Sequence, residues 1–286
     1  MLIFGANLNI LDYGLSIKYT SLVQKGPNVL IRNDQMLDIV YEDDDIIVIN
    51  KPPGIAVHPV KENDSKITVV RELIDYYPPI KKVGENQLRP GIVHRIDADT
   101  SGILVAAKNQ KTFSWLKNKF ASREVEKHYL AIVEGRMSSL KGTFKGKLGR
   151  IGGKFRLIDA GKLRPHEKLP EKLREAETEF KVLKRFQDAT LVLLSPKTGR
   201  THQLRVQLSA AGHPILGDKL YDSKTSAMRA ERQMLHALSL TVSMPDGKRI
   251  SLEAEPPYDF QNTLNDLSKR DEENKIEKNE THITYE

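Results

Sequence analysis

Apolar and polar positions fall into short blocks along most of the chain, and their periods predict the elements. Residues 41–59, YEDDDIIVINKPPGIAVHP, read as an acidic turn, an apolar strand over 46–49, a Pro-Pro-Gly turn and a second short strand. KITVVRELIDYY (66–77) sets Ile67, Val70, Ile74 and Tyr77 on one helical face, and QKTFSWLKNKFASRE (110–124) does the same with Phe113, Leu116 and Phe120. EKHYLAIVEG is a strand closed by Gly135, and AETEFKVLKRF and ATLVLLSP are two more. THQLRVQLSAAG predicts a short helix with Leu204, Leu208 and Ala211 on one side and Gly212 as its stop. LHALSLTVSMPDGKRISLEAE is a hairpin turning at Pro245-Asp246-Gly247. Many antiparallel strands with a few helices predict an α+β fold, with a mixed, mainly antiparallel central sheet flanked by helices.

The pattern also divides the chain. Residues 1–40 are weakly patterned and read as a short N-terminal arm; 41–260 form one domain. After Pro256-Pro257 the pattern dissolves, and 261–286 is expected to be a charged, disordered tail whose removal leaves the fold intact. Residues 141–174 carry 11 Lys/Arg against 3 Asp/Glu and predict a hairpin or long exposed insertion.

Charge sharpens this picture. The chain has a net charge of +7, but the tail carries 4 basic and 7 acidic residues, so the body stands at +10. A basic body suits a polyanion such as nucleic acid. The chain has no cysteine, which excludes disulfides, thiol nucleophiles and cysteine zinc sites and suits a reducing cytoplasm. No run approaches the roughly 18 apolar residues of a membrane span, and the N-terminus lacks the basic start of a signal peptide.

The candidate chemistry lies in GIVHRIDADTSGILVAAKN (91–109), where His94, Arg95, Asp97, Asp99, Thr100 and Ser101 form a polar knot between two apolar segments that read as buried strands. Charge in such a place must be paired or used. Three readings compete for Asp97. A phosphatase-like Asp-x-Asp wants Thr or Val two residues past the second Asp, where Ser101 stands. A kinase-like loop fails because Ile96 intervenes and no ATP loop precedes it; GKLGRIGGKF has the wrong glycine spacing, with Phe155 where Ser or Thr is required. The third is a lone carboxylate, held ionised by the adjacent Arg95 and used as nucleophile or base without metal. The plain alternative is a turn in which Asp97 pairs with Arg95. The histidines at 58, 94, 202, 213 and 236 show no ligand spacing, so no metal is expected, and Lys51 and His58 read as structural.

HRIDADTSG resembles the HRLDxxTSG signature of the RluA-type pseudouridine synthases, with Ile96 for the usual Leu. EDDDIIVINKPPGIAVHP, REVEKHYLAIVEG, KTGRTHQLRVQLSAAGHPILGDKLY and RQMLHALSL resemble further blocks of that family, in order, across about three quarters of the chain. Gln207 stands where the family often has His, and Asp222 where it often has Gly. No complete S4-type RNA-binding module fits in residues 1–40.

The resemblance implies an isomerase that makes pseudouridine in RNA without cofactor or metal, with large-subunit ribosomal RNA the expected substrate. A tRNA enzyme, or a catalytically silent RNA-binding protein on the same fold, are the alternatives. It implies Asp97 as the catalytic aspartate, Arg95 filling the space left by an extruded nucleotide, Tyr129 against the uracil and Arg205 paired with Asp97. RNA contacts are expected from Arg200 and, on the basic insertion, from Lys145, Lys147, Arg150 and Lys154. The expected setting is a cytoplasmic monomer with RNA as partner and no membrane association.

Overall fold

A computed structural model describes residues 37–62, 64–159, 161, 168–222 and 230–283, with side chains to residue 274. Residues 1–36 of the expected N-terminal arm lie outside the described residues. In chain order the elements are β1 (Ile39–Glu42), β2 (Ile46–Lys51), α1 (Val69–Tyr76), β3 (Ser101–Ala107), α2 (Gln110–Ala121), β4 (Glu126–Glu134) and β5 (Lys141–Ile151). There follow β6 (Lys154–Leu157), β7 (Arg174–Arg185), β8 (Ala189–Pro196), α3 (Gln203–Ala210), β9 (Leu235–Ser243), β10 (Arg249–Glu253) and α4 (Tyr258–Ile283).

The strands form one sheet in the order β1-β2-β3-β9-β4-β8-β7-β5-β6, with β10 also paired to β9. Every strand pair is antiparallel except β3 with β9, which run parallel where Ser101 meets His236 and Gly102 meets Ala237. That contact is tight: Gly102 has φ 111, and a Cβ there would overlap the Ala237 carbonyl, so only glycine fits. The α+β class with a mixed, mainly antiparallel sheet is thus the observed architecture.

Two hydrophobic clusters share the sheet. One is built on β2, β3, α1 and α2, around Ile47, Ile49, Leu73, Leu104 and Leu116. The other joins β4, β8, α3 and α4 through Leu130, Val192, Leu208 and Phe260. Tyr129 packs against both. β2 and β3 are apolar on nearly every residue because both their faces are covered.

Several local expectations are corrected. Thr68 caps α1, its hydroxyl accepting from the Arg71 amide at 3.4 Å, so Ile67 precedes the helix and is 53% exposed. The buried face of α1 is therefore Val69, Val70 and Leu73 rather than the Ile67 register. The expected strand after Pro-Pro-Gly is only an isolated bridge, Ala56 to Thr68, and the apolar run at 91–93 contributes only Ile92 to Ala106. Ala211 is exposed; the α3 face that packs inward is Leu204, Val206, Gln207 and Leu208.

The largest correction concerns the C-terminus. Residues 261–283 are not a disordered tail but continue α4, whose Phe260, Leu264 and Leu267 are buried at helical spacing. Further along, Lys184 Nζ donates to Ser268 Oγ at 3.0 Å and the Gln187 amide to Asp271 Oδ1 at 2.8 Å. Asp266, Lys269, Arg270, Glu272 and Glu273 on the same helix are exposed.

Candidate active site

The polar knot is the loop that enters β3, and it lines a cavity of about 310 Å³. Around it stand Arg95, Asp97, Thr100, Phe120, Lys127, Tyr129, Arg200, His202 and Arg205, drawn from both hydrophobic clusters and from α3 between them. That volume lies in the range of small-ligand sites.

Asp97 does not pair with Arg95, as the turn reading requires. Arg95 is exposed and directs Nη1 to His58 Nε2 at 3.4 Å. The partner of Asp97 comes from 108 residues away: Arg205 Nη1 donates to Asp97 Oδ2 at 2.9 Å. Arg205 is itself clamped, donating from Nε and Nη2 to the two oxygens of Asp218 at 2.6 and 2.8 Å. The Asp218 side chain is fully buried, and its Oδ1 also accepts the Leu220 and Tyr221 amides. Burial works against the Arg205 charge, but the hydrogen bonds and charge of Asp218, then Asp97, outweigh it and raise its pKa. A guanidinium fixed on one side and aimed on the other holds a carboxylate in one orientation.

The rest of the loop is anchored from below. The buried Lys51 ammonium donates to the carbonyls of Pro52, Ile55 and Ala98 at 2.7, 2.9 and 2.7 Å, and burial pulls its pKa down to about 7. Gln233 Nε2 donates to Thr100 Oγ1 at 2.7 Å, and Ser101 Oγ meets His236 Nδ1 at 3.0 Å. Arg232 Nη1 donates to the Asp99 carbonyl at 3.0 Å, while its Nε and Nη2 bind Asp259 at the start of α4. The C-terminal helix is thereby tied to the loop that carries Asp97.

Tyr129 lines the cavity from β4. Burial, then the charge of Asp97, push its hydroxyl pKa well above the ordinary value, so the phenol stays protonated. His202, missed as a site residue, stands 3.9 Å from Asp97 with Nε2 and directs Nδ1 to the Tyr221 hydroxyl at 2.8 Å. Its φ of 56 is a strained, left-handed conformation that a sequence pattern does not reveal. Gln207 is buried, accepting from Thr178 Oγ1 at 2.6 Å and donating to the carbonyls of Phe144 and Ala176, so it locks α3 to β5 and β7.

The basic hairpin stands differently. Lys145 and Lys147 pair across strands with Glu177 and Glu175 at 3.0 and 3.6 Å. Arg150 Nε donates to the Gly153 carbonyl at 3.1 Å, and Lys154 Nζ to that of Leu220 at 3.3 Å. None of these four lines the cavity; Arg200 does. Among the described residues there is no group of three His, Asp or Glu that could hold a metal ion, and no helix long and apolar enough to cross a membrane.

A lone carboxylate held by arginine in a cavity lined with basic side chains fits comparison with known proteins. The family model described as RNA pseudouridylate synthase matches residues 45–210. This chain belongs to that family. The synthase is 34% identical over 277 residues to ribosomal large subunit pseudouridine synthase D of Borreliella burgdorferi, covering 92% of this chain and 82% of that one. It is 37% identical to the RNA pseudouridine synthase YlyB of Bacillus subtilis, covering 82% and 73%. Among solved structures, human RNA pseudouridylate synthase domain containing 1 matches with a TM-score of 0.64 and 27% identity, over 78% of this chain and 85% of that one. The synthase is an isomerase that converts uridine to pseudouridine in RNA.

Proposed function

We propose that the chain modifies uridine in large-subunit ribosomal RNA, with Asp97 as its catalytic group, acting as a cytoplasmic monomer. The observation that carries the assignment of Asp97 is its pairing with a clamped Arg205 inside the cavity. The reaction breaks the N1–C1′ bond, turns the uracil within the site and forms a C5–C1′ bond; the hydrogen on C5 leaves as a proton and N1 takes one up. Atoms and electrons balance within the nucleotide, so no redox partner is required. Both routes to the cleaved bond, attack of the carboxylate on C1′ and removal of a sugar proton, start from an Asp97 oxygen.

A uridine in folded RNA must first be swung out of its stack. Arg95, exposed at the mouth of the cavity, has the flat cation suited to take the vacated space. Tyr129 then packs against the uracil, its protonated hydroxyl serving as a hydrogen-bond donor near C5. Lys145 and Lys147 are held by glutamates, which leaves Arg150 and Lys154 as the hairpin's contacts for phosphate, and Arg200 at the cavity itself.

The names of the Borreliella burgdorferi relative and of a Zymomonas mobilis relative at 36% identity support ribosomal RNA as substrate. The test is incubation of the chain with separate transcripts of large-subunit ribosomal RNA and of tRNAs, followed by chemical mapping of pseudouridine. Modification of discrete ribosomal uridines is expected. Modification confined to tRNA would move the assignment to the tRNA enzyme, and RNA binding without modification to the silent RNA-binding protein.

A further inference from the structure

The two oxygens of Asp97 are not equivalent. Oδ2 accepts from Arg205 Nη1 at 2.9 Å, and His202 Nε2 stands 3.9 Å from the same oxygen. Oδ1 accepts no hydrogen bond among the described residues and is not sealed from solvent. Oδ1 is therefore the oxygen free to react, and Oδ2 the one that is held.

His202 presents a hydrogen at that place. Its Nδ1 lies 2.8 Å from the Tyr221 hydroxyl, whose hydrogen has no other acceptor among the described residues. The phenol therefore donates to Nδ1. Burial lowers the His202 pKa against the opposing charge of Asp97 and keeps the ring neutral near neutral pH, so its single hydrogen sits on Nε2. The rings of Phe155 and Tyr221 meet it edge-on at 5.9 and 5.6 Å and fix its plane. The chain gives up local stability for this arrangement. His202 stands at the N-cap of α3 with φ 56, yet its side chain caps nothing; an asparagine would suit both the cap and the left-handed turn better. The 3.9 Å between Nε2 and Oδ2 is too long for a hydrogen bond, but it admits an oxygen at roughly 2.8 Å from each.

Stereochemistry names that oxygen. A carboxylate attacking C1′ approaches opposite the departing uracil, and in ribose that face carries the 2′-hydroxyl. With Oδ1 at C1′, O2′ lies two bonds away on the same side, next to Oδ2 and Nε2. A hydroxyl has one hydrogen to give and lone pairs to accept. We propose that His202 reads the 2′-hydroxyl of the target uridine, donating from Nε2 to O2′ while O2′ donates to Asp97 Oδ2, and so selects ribose over deoxyribose at the reacting nucleotide. It rests on the reading of Asp97 as the catalytic group, acting by attack on C1′. Oδ1 bonds to C1′ as uracil leaves with the N1–C1′ electron pair, and the 2′-hydroxyl keeps its own hydrogen throughout. That hydroxyl is the feature by which a site tells RNA from DNA.

The test uses the full chain and a synthetic hairpin copied from large-subunit ribosomal RNA, with tritium at C5 of one uridine that the wild type modifies. The same hairpin is made with 2′-deoxyribose at that nucleotide alone, and kcat/KM for tritium release is measured on both. The intrinsic effect of the missing hydroxyl on reactivity is common to all the proteins, so it cancels when their ribose-to-deoxyribose ratios are compared. His202→Phe keeps a ring but no N–H and is expected to lower the ratio by about tenfold, the worth of one hydrogen bond. His202→Gln, whose amide N–H reaches the place of Nε2, should restore most of it. Tyr221→Phe removes the hydrogen that fixes the tautomer while leaving both rings, and the ratio should fall several-fold. Damage to packing alone slows both substrates equally and leaves the ratio where it was.

An unchanged ratio in folded His202→Phe overturns the contact with the 2′-hydroxyl, whatever the absolute rate. Where that variant does not fold, an unchanged ratio in Tyr221→Phe overturns it instead. Wild-type release from the ribose hairpin with unchanged ratios sinks the contact alone. No release by the wild type from any ribosomal hairpin sinks the reading of the activity, and the contact with it.

Discussion

The loop at 97–102 and the basic hairpin at 141–157 are both rich in charged and polar residues, yet they stand on different physics. Asp97, Thr100 and Ser101 find partners 108, 133 and 135 residues away in Arg205, Gln233 and His236. Lys145 and Lys147 find theirs directly across the β5–β7 ladder, in exposed pairs with Glu177 and Glu175. Buried polar groups with distant partners are costly to break, because removing one strands the other. Exposed cross-strand pairs are cheap to lose. Charge density alone therefore does not mark a working site; long-range convergence on a cavity does.

The comparison is broken most severely at Arg205. Arg205→Gln leaves the buried Asp218 uncompensated and Asp97 unaimed, so a loss of about 3–5 kcal/mol in stability is expected together with loss of activity. Chemical denaturation and tritium release measure the two effects. An Arg205→Gln protein of wild-type stability would show that the clamp contributes little.

Next comes the C-terminal helix. Deleting 262–286 removes the buried Leu264 and Leu267 and frays the turn that holds Asp259 on Arg232. Two buried leucines contribute about 3–6 kcal/mol, which for a chain of this size lowers the melting temperature by roughly 10 °C. Activity should fall further than stability alone explains, since Arg232 also holds the Asp99 carbonyl.

A smaller effect is acid sensitivity. His94 is half-buried, its ring stacked on Phe120 at 4.6 Å and its Nε2 turned inward to accept the Val105 amide at 3.0 Å. Burial, then the charge of Lys127, lower its pKa from 6.5 to about 3. Between those values the unfolded chain binds the extra proton, so stability is full above pH 6.5 and falls as pH drops towards 3. His236, lowered to about 4, adds to the same slope. His94→Gln should cost stability at neutral pH but show a shallower decline to about pH 4.5 in thermal melts. An equal slope in the variant would contradict the assignment.

The smallest effect is expected on the hairpin. Lys145→Gln and Lys147→Gln should shift the melting temperature by no more than about 2 °C. A larger shift would mean that the exposed ladder carries stability after all.

These contrasts also explain what the sequence discloses. Strands β2, β3, β4 and β8 and the β9–β10 hairpin are legible because their apolar blocks are bounded by turn residues. Asp97 stands out in the polar knot itself, but Arg205 and Tyr129 are legible only through motif resemblance, since no local pattern says that residues 97 and 205 meet. Asp218 and Arg232 escaped notice because their partners, Arg205 and Asp259, lie on other elements. The α4 helix was hidden because Leu264 and Leu267 are sparse among charged residues, and packing rather than composition decides its state. The left-handed turns at Arg123 and His202 leave no trace in residue type.

The most direct test of the central claim uses RNA transcribed with tritium at uracil C5, incubated with the wild type and with Asp97→Asn in the presence of chelator. Forming the C5–C1′ bond expels that hydrogen to water. The account predicts release by the wild type and a loss of at least about a thousandfold in Asp97→Asn at unchanged RNA binding. Release at comparable rates by both proteins would contradict it.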